Sequence, residues 1–194
     1  MLYGQINSMN PVEFDFPDPI KDMEREHGLI KMVLRVLEKV CEQLESGKPL
    51  NKEHMQLAIT FIREFADKCH HGKEEALYFP AVRENNIPEE IALVDGFIEE
   101  HTIGRGFVKN MADAIESDDV SAFGENTKAY VKLLDQHIDR ENEALFPMTE
   151  KTLSESKLKE LDKGFEDVDK NVIGKERHEE LHDIAYKLKE AYLQ

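Results

Sequence analysis

Two segments of this chain align with each other without a gap. HHGKEEALYFP begins at His70 and HIDRENEALFP at His137. At this constant offset His70 matches His137, Glu74 matches Glu141, Phe79 matches Phe146 and Pro80 matches Pro147. Upstream, a Glu-His pair at 26–27 recurs at 100–101. The chain therefore reads as one unit used twice. Each half is a helical hairpin with a histidine on its first helix and His-x-x-x-Glu on its second.

Start and stop signals divide the rest into helices. Asp18 before Pro19 reads as a cap followed by a first helical residue, and Gly47 and Pro49 stop that helix near Ser46. Asn51 caps a second helix expected to end at Pro80, and Pro88 opens a third over about 88–116. Asp118 or Asp119 starts a fourth that ends near Pro147, with two more helices over about 154–168 and 175–192. No stretch alternates with period two, so the fold class is all-α. Residues 1–17 read as an irregular segment, 18–150 as an up-down-up-down four-helix bundle, and 151–194 as a helical extension packed on it.

Apolar residues recur at 3-4 spacing on each bundle helix, as in Ile20, Met23, Ile30, Leu34 and Leu37 of the first. Each stripe is broken by a histidine: His27, His70, His101 and His137. On the second and fourth helices Glu74 and Glu141 follow four residues later, on the same helix face. At 1.5 Å per residue, all four histidines lie roughly 14–20 Å from the same end of such a bundle. Four imidazoles and two carboxylates thus share one interior layer. Ionisable groups gathered in a dry layer are strongly unfavourable without compensating charge. Cations remove the conflict, with imidazole nitrogen and carboxylate oxygen as donors and the two Glu placed to bridge two ions. A nitrogen and oxygen set without thiolate suits Fe, Mn or Zn and disfavours Cu(I).

Composition narrows the function further. The 194 residues carry 25 Lys and Arg against 41 Asp and Glu, a formal charge of −16. That sign opposes phosphate tracking, so neither nucleic acid nor an anionic membrane surface is expected as a partner. No apolar run reaches the length of a bilayer span, and the first residues lack a basic and then apolar export pattern. Two cysteines, Cys41 and Cys69, make no disulfide framework, so reduced thiols in a cytoplasm are expected. Of the other histidines, His71 is expected to turn about 100° away from His70, toward a neighbouring helix or solvent. His54 is expected in solvent, and His178 and His182 against the bundle.

Over residues 18–150 the sequence resembles the hemerythrin-like (HHE) cation-binding family, most closely in HHGKEEALYFP and HIDRENEALFP. The resemblance implies a non-haem di-iron centre: His27 and His70 on one iron, His101 and His137 on the other, Glu74 and Glu141 bridging. Zn or Mn would fit the same donors. It also implies that the chain binds or reacts with O2, NO or peroxide, as a binding protein rather than a dedicated enzyme, with its redox partner open. The chain departs from the invertebrate oxygen carriers of that family in two places. Those have His-x-x-x-His on the third helix, whereas His101 has Phe97 one turn before it and Arg105 one turn after. They also have His-x-x-x-x-Asp on the fourth, here His137-x-x-x-Glu141. One imidazole fewer implies a more open site, suited to sensing, scavenging or redox chemistry more than to reversible O2 carriage.

Overall fold

A computed structural model describes residues 18–194, and these are helical with no strand among them. The expectation of an irregular segment at 1–17 lies outside the described residues. Helix α1 runs Pro19–Glu45, and its cap is the expected one, Asp18 accepting from the Lys21 amide. Helix α2, Lys52–Phe61, is capped by Asn51 and leads into π-helical turns at Ile62–His71 and Glu74–Tyr78 before α3, Phe79–Glu84. Helix α4 spans Pro88–Glu116. Asp119 accepts from the Ala122 amide and starts α5, Val120–Arg140, which continues through a π turn at Glu141–Leu145 into α6, Phe146–Thr152. Helices α7, Glu155–Asp167, and α8, Lys175–Tyr192, complete the chain, joined by a π-helical Val168–Ile173 and by Gly174 at φ 86°.

Pro80 and Pro147 do not end their helices. The rod carrying α2 continues to Glu84 and the rod carrying α5 to Thr152. In both, an i→i+5 bond immediately precedes the proline: Phe79 N–H to Glu74 O, and Phe146 N–H to Glu141 O. The wider turn spares the carbonyl that a proline ring would strike in a regular α-helix, so the rod passes through without breaking.

The apolar interior has two parts. One holds Leu34, Leu37, Phe61, Phe65, Met111, Phe123 and Leu134, and α8 contributes Leu181, Ala185 and Leu188. The other holds Ile20, Met23, Tyr78, Phe79, Phe97 and Phe146, with Leu161 and Phe165 from α7. Along each of the four rods the predicted histidine marks the passage from one part to the other: Met23 and Ile30 flank His27, and Phe97 and Val108 flank His101. The polar layer therefore crosses the interior between two dry clusters.

Since Leu181 is fully buried within the first cluster, Leu181→Ala should cost about 2–5 kcal/mol. Unfolding followed by circular dichroism should remain one transition, because α8 shares that core. Separate melting of α8 would contradict this.

Candidate metal centre

The structure brings His27, His70, Glu74, His101, His137 and Glu141 together, each at most 2% exposed. His70 Nε2 lies 3.3 Å from Glu74 Oε1, and His101 Nε2 lies 3.3 Å from Glu74 Oε2, so one carboxylate spans both hairpins. Glu141 Oε2 lies 3.3 Å from His27 Nε2 and 3.2 Å from His137 Nε2, repeating the arrangement with the halves exchanged.

The outward nitrogens fix the tautomers. Nδ1 of His70 donates to Glu26, Nδ1 of His101 to Glu75 and Nδ1 of His137 to Glu100, at 2.7–3.0 Å. His27 Nδ1 lies 2.7 Å from the Asn142 amide oxygen. A carboxylate only accepts, so Glu26, Glu75 and Glu100 hold the proton on Nδ1 of their rings and leave Nε2 bare when those rings are neutral. The pairing follows the repeat. Glu26 and Glu100, each just before the first histidine of its half, hold the second histidine of that half. Glu75 and Asn142, each just after the repeated Glu of one half, hold the first histidine of the other. The three carboxylates are themselves gripped by a cation: Glu26 by Lys73 at 2.6 Å, Glu75 by Arg105 at 2.7 Å, and Glu100 by Arg140. Lys73 also reaches Asp169, 2.7 Å away, which ties the segment after α7 to the back of His70. Asp169 in turn accepts from the buried Cys69 thiol at 3.2 Å.

Nε2 of His27 and His70 and all four oxygens of Glu74 and Glu141 are buried without a hydrogen bond. His101 Nε2 faces His137 Nε2 at 3.2 Å. Lone pairs turned on one another in a dry layer cost several kcal/mol unless positive charge lies among them. Donors that share a cation at bonds of about 2.0–2.2 Å sit roughly 3 Å apart. The donor atoms fall into two overlapping sets that fit such ions: His27, His70, Glu74 and Glu141, and His71, Glu74, His101 and His137, each within 4.8 Å.

Of the two directions the sequence leaves for His71, a neighbouring helix or solvent, the structure takes the first. His71 is 5% exposed and stacks on His101, ring centroids 3.8 Å apart. A π-helical turn holds more residues than an α-helical one, so His71 stays nearer the direction of His70 than 100° allows. Its adjacency to His70 was the available signal. His54 lies 3.1 Å from the Tyr192 hydroxyl, and His178 and His182 pack on Phe65. Phe146 stacks on His27 and Phe79 on His101, closing the layer on one side. On another side a cavity of about 350 Å³, lined by His71, His101, Gly104, Arg105 and Tyr130, runs up to it.

Residues 18–149 match the hemerythrin HHE cation binding domain. The chain belongs to that family. Uncharacterized proteins of Mycobacterium bovis and Mycobacterium tuberculosis are 22% identical to this HHE chain over 153 residues, which is 76% of it and 59% of each relative. The HHE chain thus spans about three-fifths of the length of the curated relatives it matches. No helix among the described residues is long and apolar enough to cross a membrane.

Protons and cations compete for the HHE layer. Burial works against charge on His70, but the Glu74 and Glu26 carboxylates outweigh it and lift the ring from 6.5 to about 10. Burial likewise opposes charge on His137, and Glu141 with Glu100 raises it to about 10. In the metal-free fold these two rings keep protons that the unfolded chain releases above about 6.5. Metal-free protein should therefore be most stable at and below pH 6.5 with respect to this pair, and lose that contribution as pH rises toward 10. Bound cation should reverse the trend, because it binds the deprotonated rings. Urea denaturation across this pH range, with and without Fe(II) or Zn(II), reads both slopes. A flat metal-free profile would contradict the protonated pair.

Proposed function

We propose that this layer holds two cations and that the chain is a non-haem di-iron protein which binds or reacts with O2, NO or peroxide, as a sensor, store or scavenger. In this reading the described rods form the up-down-up-down bundle expected from the sequence, and His27, His70, Glu74, His101, His137 and Glu141 are metal ligands. His27 and His70 hold one ion, His101 and His137 the other, and Glu74 and Glu141 join them. The observation that carries it is the set of buried donor atoms with no hydrogen bond, backed by rings whose tautomers aim bare Nε2 lone pairs inward. Family membership supports cation binding.

A bound iron pair would supply redox change and coordination positions for a small ligand. The chain's own residues do the rest. Glu26, Glu75, Glu100 and Asn142 hold the rings in register, and the phenylalanines exclude water from one side. The cavity beside His101 and Tyr130 gives a diatomic molecule or peroxide a path. The donor set also accepts Zn and Mn. A structural Zn or Mn bundle is therefore the reading to be separated from this one, together with a di-iron redox enzyme that reduces NO or peroxide.

Metal analysis of the protein from its own cells, joined to absorption spectra under air and under reductant, separates them. Two irons per chain, with a spectrum that changes on reduction and on adding O2, NO or peroxide, are expected. Zn alone with no redox response would point to the structural bundle. Steady consumption of NO or peroxide with a reductant, lost in His101→Ala, would make the chain an enzyme.

A further inference from the structure

We infer that Glu26, Cys69, Asp169 and His178 form a second cation site, outside the layer, for a divalent ion that accepts thiolate, such as Zn(II). The inference stands apart from the two-cation reading, because the layer's donor set contains no sulfur. Asp169 and His178 lie beyond residue 149, where the match to the HHE domain ends. The site therefore belongs to the C-terminal extension as much as to the bundle.

Three observations carry it. First, one donor atom from each of the four residues lies within 4.8 Å of the others. They arrive from three distant stretches: Glu26 on α1, Cys69 on the π-helical Ile62–His71, and Asp169 and His178 on either side of the turn at Gly174. Sulfur, imidazole and carboxylate converging on one place is a four-donor set of the kind that encloses Zn(II). Second, His178 Nε2 is buried with no hydrogen bond. A nitrogen closed off from solvent is ordinarily satisfied, so Nε2 is the imidazole donor of the site. Third, a cavity of about 290 Å³ leads to the place, and its five carboxylates face only Arg25 and Lys73 as fixed cations. Such a cavity gathers positive ions.

Lys73 holds the position in the cation-free fold. Its ammonium lies 2.6 Å from Glu26 Oε1 and 2.7 Å from Asp169 Oδ1, and the Cys69 thiol donates to that same Asp169 oxygen at 3.2 Å. An arriving cation exchanges for two positive charges. The Cys69 thiol loses its proton to water, as a coordinating thiol does, and the Lys73 ammonium moves out into the cavity. Two carboxylates with one ammonium carry −1, and two carboxylates with a thiolate and a divalent ion also carry −1, so the exchange leaves the local charge unchanged. Asp162 on the cavity wall favours a cation beside it, since burial and the Glu166 and Asp22 carboxylates push its own carboxyl above the usual range. Glu26 keeps Oε2 on His70 while Oε1 turns from Lys73 to the ion. One carboxylate thereby joins the new site to the layer.

The test titrates the full chain with Co(II) and follows its absorption. Thiolate bound to Co(II) gives a charge-transfer band in the near ultraviolet that nitrogen and oxygen donors do not give. The band should saturate, vanish in Cys69→Ser, and persist in Cys41→Ser, whose thiol lies against Gly124. In His178→Ala its midpoint should move to higher Co(II). In Lys73→Met, which removes the resident ammonium, the midpoint should move to lower Co(II), whereas a purely structural ion-pair cluster gives no band to move. In the unmodified chain loaded with Zn(II), zinc-edge X-ray absorption should show a sulfur neighbour at about 2.3 Å, which decides even if a variant fails to fold. Co(II) uptake without a sulfur band, or a band that survives Cys69→Ser, would overturn the inference and leave the two-cation reading standing. No uptake of Co(II) at all would overturn both.

Discussion

The constraint on which this structure depends is the placing of imidazole nitrogens against two buried carboxylates in a layer deep between two apolar clusters. His70, His101 and His137 have Nδ1 committed outward, to Glu26, Glu75 and Glu100, and so in the neutral form offer only a lone pair inward. Glu74 and Glu141 offer only lone pairs as well. Acceptors about 3.2–3.3 Å apart need positive charge among them. Protons on His70 and His137 supply it in the metal-free fold, and cations supply it on loading. The same chemistry makes the layer sensitive to pH and gives it a use for metal.

The rest of the molecule serves that layer. Two apolar clusters sandwich it, so it lies well below the surface on every rod. The π-helical turns widen the second and fourth rods where the layer's side chains and the prolines follow closely, and His71 stands on one of them. Helices α7 and α8 add apolar side chains to both clusters. Through Asp169, Lys73 and Glu26 the C-terminal segment also reaches the back of His70. A change in how that segment packs would therefore be felt at the layer.

Much of this was legible in the sequence, for identifiable reasons. Periodicity and caps located the helices because local signals such as Asp18-Pro19, Asn51 and Asp119 act within one turn. The repeat located the six residues because duplication preserves spacing. The Glu-His pairs at 26–27 and 100–101 were visible as a pattern, but their pairing needed the third dimension: each Glu serves the histidine of the next helix, not its neighbour. The run of helix past Pro80 and Pro147 was misread because the expectation assumed regular α-helical turns, and an i→i+5 turn changes the room left for a proline ring.

The central claim is that cations lie among these donors. Anomalous diffraction at the iron edge, from crystals of protein purified without chelator, tests it most directly. Two peaks are predicted inside the layer, one between His27 and His70 and one between His101 and His137, both within bonding reach of Glu74. A layer with no anomalous density, or metal bound only at the protein surface, would contradict the account.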